Sequence, residues 1–264
     1  MRRFLTIVLF FACLSASACG QESRPGDDAD RILDALDAKL YSPLRSGLKE
    51  LEYDYAVTPE GVFSTKLRIG VRWSADSRPT VRWSDIERRS LKDMPEWLKA
   101  PAGGPTSGSV KDVFEAGARA TTRWFVPDSP KSKYAAWRKR LETRMVNARP
   151  ERVLVFEPAT PGPLKRIETA VDAKGLPWRI TYFPSKPVEG VETVVEEPVF
   201  EEIDGKWVKT SWKETSGVSS IQHVLTYQLV RGWLLPSAHE RLAPGGKAPD
   251  RTVFDAVTPK PPLN

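Results

Sequence analysis

From Lys165 to Leu242 apolar and polar residues alternate with a period of two, and short turn signals interrupt the alternation at intervals. That period puts every second side chain on one face of a pleated strand. It predicts consecutive antiparallel strands with one face in water and the other against something apolar. Ile167, Thr169 and Val171 alternate with Arg166, Glu168 and Asp172, and Ala173-Lys174-Gly175 turns the chain into a second strand ending near Phe183. Asp204-Gly205, between Ile203 and Lys206, suits a type I′ hairpin turn. In the strand that follows, Trp207 and Trp212 are expected on opposite faces. The next strand places Ile221, His223, Leu225, Tyr227 and Leu229 on one side. Ser220, Gln222, Thr226 and Gln228 take the other. Arg231-Gly232 then turns into Trp233-Leu234-Leu235-Pro236. Proline cannot donate to a ladder, so an edge or strand end is expected at Pro236. The whole pattern is a meander.

The N-terminal half adds strands and helices. Asp28 to Leu40 reads as an amphipathic helix capped by Asp27 or Asp28, with Ile32, Leu33, Leu36 and Leu40 as its stripe. Leu51 to Val57 alternates as a strand. After Pro59-Glu60-Gly61 a longer one follows, with Phe63, Thr65, Leu67, Ile69, Val71 and Trp73 on one face. A short strand is expected at Thr80 to Trp83. Ser84 and Glu87 form a capping box for a helix to about Lys99. Another helix opens at Ser109 and Asp112, with a stripe through Gly117, Thr121 and Trp124. Ser129-Pro130, a cap followed by an N1 proline, predicts a third, with Tyr134, Trp137, Leu141 and Met145 as its apolar stripe. Val153 to Phe156 returns to strand. The segment from Pro244 is rich in Pro and Gly, and its apolar patch Val253-Phe254 is expected to pack along an edge.

The first residues carry an address. Met1-Arg2-Arg3 is positive, Phe4 to Leu14 is apolar but short for a bilayer, and Ala16-Ser17-Ala18 is a small-residue cleavage pattern. Together these predict a signal peptide over 1–18 and export. Ala16-Ser17-Ala18-Cys19 resembles a bacterial lipobox, with Ala where Leu is more usual at its first position. The resemblance implies that Cys19 becomes a lipid-modified N-terminus and the chain a periplasm-facing lipoprotein. The alternative is ordinary cleavage that leaves a free thiol. Cys13 departs with the signal, so no disulfide is expected. Residues 19–29 read as a polar tether.

Little in the sequence carries chemistry. The net charge is +6, or +4 once Arg2 and Arg3 leave with the signal. Lysines and arginines are interspersed with acids, and no run is dense enough to read as a nucleic-acid tract. His223 and His239 are the only histidines, and neither has a Cys, His or paired acid at metal spacing, so no metal or cofactor is expected. Ser46-Gly47-Leu48-Lys49 matches Ser-x-x-Lys, and Lys209-Thr210-Ser211 resembles the strand triplet of penicillin-recognising enzymes, but no Ser-Asp-Asn element accompanies them. A hydrolase around Ser46 and Lys49 is therefore a distant alternative, and the chain is read as not an enzyme. Nine tryptophans suit a large apolar concavity as well as a solid core.

Three phrases carry a family resemblance: the helix Ile32 to Leu40 before strand Leu51 to Val57, the turn Val171-Asp172-Ala173-Lys174-Gly175-Leu176-Pro177, and Tyr227 to Pro236 with its Gly-Trp-Leu-Leu-Pro ending. With the strand-rich meander they resemble the half-barrel carriers typified by LolA and LolB. The resemblance implies an α+β fold in which a curved antiparallel sheet is covered on its concave side by helices, and which holds acyl chains there. It implies a concave face of Phe63, Leu67, Ile69, Val71, Ile221, Leu225, Tyr227 and Leu229, with Tyr134, Trp137, Leu141 and Met145 on a lid. Cys19 fits the anchored relatives better than the soluble carrier. No lid-closing arginine can be placed, because Arg68 and Arg72 alternate to the solvent side.

The expected organisation is a single half-barrel domain over 30–243, with a helical insertion at 84–147 and a Pro/Gly-rich tail at 244–264. The expected function is binding of lipid, lipoprotein acyl chains or another amphiphile, with attachment to the membrane through the N-terminal anchor. The other candidate is a structural or regulatory envelope protein with a filled core that binds a protein partner.

Overall fold

Twelve strands form one antiparallel sheet in the computed structural model, which describes residues 27–58, 67–81, 107–146, 148–187, 191–243 and 250–260. In chain order the elements are α1 (Asp27–Lys39), β1 (Glu50–Thr58), β2 (Leu67–Ser74), β3 (Thr80–Val81), α2 (Ser107–Phe125), α3 (Pro130–Lys133), β4 (Trp137–Val146), β5 (Arg149–Pro158), β6 (Leu164–Val171), β7 (Pro177–Pro184), β8 (Val194–Ile203), β9 (Lys206–Ser216), β10 (Ser219–Val230), β11 (Trp233–Leu242) and β12 (Asp250–Lys260). The strand order is β3-β2-β1-β12-β11-β10-β9-β8-β7-β6-β5-β4. It is a meander from β4 to β12, with the N-terminal strands added beside β12, and the sheet is open rather than closed. No helix among the described residues is long and apolar enough to cross a membrane.

Turn chemistry sets the hairpins. Asp204 and Gly205 have φ of 49° and 71°, and Arg231 and Gly232 have 49° and 88°. Both central residues at positive φ give the type I′ twist that matches paired strands. Two bulges then reset the alternation. The β8–β9 register runs from Ile203↔Lys206 to Phe200↔Lys209, then shifts so that Val199 faces Ser211. Thr210 is the extra residue. The shift moves Trp212 onto the face that carries Trp207, which corrects their expected placement on opposite faces. Trp207 meets the ammonium of Lys39 in α1, and Trp212 stacks on His223. In the β10–β11 hairpin the shift falls between Tyr227↔Pro236 and Thr226↔Ala238. Pro236 is thus neither at an edge nor at a strand end. It is buried in the middle of β11, where its missing N–H is tolerated because the β11–β12 ladder runs only from Ala238 to Arg241.

Two further expectations are corrected. The stripe Trp137, Leu141, Met145 belongs to strand β4, not to a helix. Ser129 does cap a helix, its Oγ accepting from the Ser132 N–H, but that helix is one turn long. A spacing of four fits both the helical period and the strand period. The charged residues between, Arg138, Arg140, Glu142 and Arg144, share the opposite strand face. There Arg140 pairs with Glu157 at 3.0 Å and Arg144 with Glu168 at 2.7 Å. A ten-residue ladder to β5 fixes the strand, and its charged face suits an exposed sheet edge. The C-terminal segment does not pack along an edge either. β12 lies inside the sheet between β1 and β11, with Phe254 buried. The capping box at Ser84 and the strand residue Phe63 lie outside the described residues.

The helices pack on the sheet in two apolar clusters. Leu33 and Leu36 of α1 join Leu154, Phe156, Ile167 and Val171 of β5 and β6. The acids of α1 hold it in place: Asp30 pairs with Lys139 at 2.6 Å, Asp34 with Lys131 at 2.5 Å, and Asp37 accepts from the Ser129 hydroxyl. α2 packs on β1, β2 and β12. Tyr53 stacks on Phe125 with centroids 4.4 Å apart, and its hydroxyl bonds Thr121 and Thr122 at 2.8 Å each. Gly117 permits the close approach, since a Cβ there would lie 2.8 Å from the Tyr55 hydroxyl.

Candidate functional site

Between the two clusters is a cavity of about 360 Å³. α1 contributes Leu33 and Leu36 to its wall, Leu40 just after it joins them, and the end of α2 contributes Trp124 and Phe125. The sheet contributes Phe156, Ile180, Phe200, Trp207, Leu225 and Leu234. Apart from Leu40, each comes from the apolar side of a strand or helix, and Leu33, Leu36, Phe125 and Phe156 also belong to the packed clusters on either side.

A small polar group interrupts the apolar wall. Glu196 accepts from Lys209 Nζ at 3.0 Å and from the Tyr182 hydroxyl at 3.1 Å. The Lys209 ammonium lies 4.2 Å from the Trp212 ring centroid, and the Tyr227 hydroxyl donates to the Lys209 carbonyl at 2.9 Å. Burial raises the Tyr182 pKa, and the negative charge of Glu196 raises it further, so the phenol stays protonated. Tyr134 and Tyr227 are also pushed up by burial. Burial holds the Lys133 amine below its ordinary value, while Glu196 and Asp128 pull it the other way.

Behind this wall the bulge in β11 brings two histidines together. His223 Nδ1 lies 3.0 Å from His239 Nε2. Trp212 stacks on His223 at 4.5 Å, and Trp124 covers His239 at 4.0 Å. His223 Nε2 is buried with no hydrogen-bond partner among the described residues. Both pKa values fall to about 4. Burial is the main cause, and for His239 the neighbouring His223 adds to it. Among the described residues no group of three His, Cys, Asp or Glu is placed to hold a metal.

Of the sequence-selected residues, Leu225, Tyr227 and Tyr134 line the cavity. Ile69 and Val71 are buried in the cluster under α2 instead. Ile221 is half-buried beyond the cavity, and Leu229 is 59% exposed. Trp137 and Leu141 pack from β4 against the α1 cluster, while Met145 is 69% exposed, so no helical lid carries these four. Leu67 starts β2, its side chain outside the described residues, and Cys19 also lies outside them. Ser46 sits in a turn, its hydroxyl bonded to the Ser42 carbonyl at 3.1 Å. Lys49 already pairs its backbone with Lys260. The helical turn that Ser-x-x-Lys chemistry needs is absent there. Sequence reading missed Glu196, Lys209 and Tyr182 as a group, because nothing local announces the bulge that orients β9.

No protein-family model and no curated protein matches the sequence. Among solved structures the chain is similar to a DUF1329 family protein from Desulfovibrio piger, at 11% identity over 92% of this chain and 96% of that one, with a TM-score of 0.38. It is similar to an outer membrane lipoprotein-sorting protein domain from Vibrio parahaemolyticus, at 8% identity over 90% and 94%, with a TM-score of 0.34. A third likeness is to the MucA/MucB complex of Pseudomonas aeruginosa, at 13% identity over 89% and 94%, with a TM-score of 0.22. At these identities no residue role passes from those proteins to the cavity.

Proposed function

We propose that this chain is an exported, lipid-anchored carrier or receptor that holds the acyl part of a lipid, lipoprotein or other amphiphile between its helices and its sheet. The observation that carries this is the cavity of about 360 Å³, walled by leucines and aromatics and floored by seven strands from β5 to β11. That volume is at the small end of the range for ligand pockets, room for one chain rather than several. An open space here favours a carrier over a partner-binding module with a filled core.

The Glu196–Lys209 pair ties β8 to β9 inside the cavity. Lys209 faces Phe200 across the ladder, so Glu196 lies four residues further along β8, a distance of about 13 Å along a strand. Their long side chains lean along the strands and meet at 3.0 Å. Cys19 is the proposed attachment point, through the lipobox-like Ala16-Ser17-Ala18-Cys19.

Each methylene buried in such a cavity contributes about 0.8 kcal/mol, roughly fourfold in Kd. The test is displacement of a neutral fluorescent probe, 1-N-phenylnaphthylamine, by straight-chain alcohols of increasing length. Affinity is expected to rise about fourfold per carbon and then level off where the cavity is full. A series with no length dependence, or no displacement at all, would refute the carrier role.

A further inference from the structure

Six charged side chains line the cavity: Arg45, Arg123, Lys133 and Lys209 against Asp128 and Glu196. Glu196 is already matched by Lys209 and Tyr182. Asp128 lies on the short link between α2 and α3, where Arg123 precedes it and Lys133 follows it. Arg45, Arg123 and Lys133 all reach solvent while lining the cavity, which places them at its mouth. They come from three separate parts of the chain: the turn after α1, the last turn of α2, and α3. None makes an ion pair among the described residues, and the Arg45 guanidinium donates only to the Leu40 carbonyl. Lys133 feels the charges of Glu196 and Asp128 and, more weakly, the like charge of Arg123. The lining therefore carries an excess of two positive charges at the entrance to an apolar interior. A neutral guest would add no counter-charge to them.

Resting on the carrier reading, we infer that the guest is a single-chain anionic amphiphile, its tail in the cavity and its carboxylate or phosphate head against Arg45, Arg123 and Lys133. A guanidinium binds either head through two parallel N–H bonds, and an ammonium adds a point charge. Exposed contacts of this kind are individually weak, so three together amount to about tenfold in affinity, reduced by salt.

The experiment compares dodecanoate, dodecyl phosphate and dodecanol as displacers of 1-N-phenylnaphthylamine from the purified protein at low and high salt. It is repeated with the Arg123→Gln/Lys133→Gln variant. Expected is an advantage of about tenfold for the anions over dodecanol, shrinking in salt and largely lost in the variant when anion and alcohol are compared within it, while an unchanged urea midpoint reports an intact fold. A stronger carboxylate arm marks a fatty-acid-like guest, and a stronger phosphate arm a phospholipid-like one; both uphold the anionic head. Equal displacement by all three, or an anion preference that survives in the variant, overturns the inference while leaving the carrier reading intact. No displacement by any of them overturns both.

Discussion

The histidine pair makes stability depend on pH where few other groups titrate. His223 and His239 share a 3.0 Å contact between indole rings, and His223 Nε2 has no partner among the described residues to receive a new proton's hydrogen bond. Their pKa values lie at about 4 against an ordinary 6.5. Between those values the unfolded chain binds protons that the folded chain refuses, so stability rises with pH. Read downward, it is intact at pH 7, starts to fall near pH 6.5, and stops falling below about pH 4. At pH 5 the loss for the buried His239 is about 2 kcal/mol. The pair together loses less than twice that, because His223 is partly open to solvent and the two titrations are coupled. Against a total stability of about 5–15 kcal/mol this is a large fraction. Urea unfolding at pH 7 and pH 5 measures it, and a loss of this size moves the midpoint by about 1 M. Glu52 and Glu142, held below their ordinary pKa by Lys260 and Arg140 respectively, add a loss of the same sign only below about pH 5, where the unfolded carboxylates start to bind protons, so the comparison of pH 7 with pH 5 reads the histidines. The His223→Gln/His239→Gln variant should lose most of the shift. If its midpoint moves with pH as much as the wild type's does, the titration belongs elsewhere and the reasoning fails.

Other consequences follow from particular contacts. Tyr53→Phe removes a buried hydroxyl that bonds Thr121 and Thr122; it should lower stability by about 1–2 kcal/mol, seen as a reduced midpoint in urea with an unchanged slope. Lys209→Met leaves Glu196 in the cavity wall with the Tyr182 hydroxyl as its one remaining hydrogen-bond partner among the described residues. It should destabilise more than the Lys209→Met/Glu196→Gln double variant, by about 1–2 kcal/mol, and a thermal unfolding cycle of the two single variants and the double variant measures the difference.

What the sequence reveals depends on how local the determinant is. Hairpins at Ala173-Gly175, Asp204-Gly205 and Arg231-Gly232 are legible because each turn is specified by its own residues. β4 is not, since Trp137, Leu141 and Met145 satisfy two periods at once, and only pairing to β5 decides between them. β12 is obscured for a similar reason: its place between β1 and β11 depends on partners nearly two hundred residues away in one case. The site suffers most. Counted from the Arg231-Gly232 turn without a bulge, His239 would face Val224 and lie on the opposite side from His223. The extra residue at Ser237 pairs it with Leu225 and brings the rings together. Thr210 does the same for Trp212, and so for the surface beneath Lys209. Single-residue bulges carry no strong local signature, yet each reverses which side chains face the cavity.

Leu225 offers the most direct test of a guest-holding cavity, because it is 5% exposed and forms part of the wall. Native mass spectrometry of protein prepared without detergent should find one acyl-containing molecule per chain in the wild type. In Leu225→Trp, whose larger indole intrudes on the space, that load should fall. A bare wild-type mass, or an equal lipid load on the Leu225→Trp variant, would contradict the account.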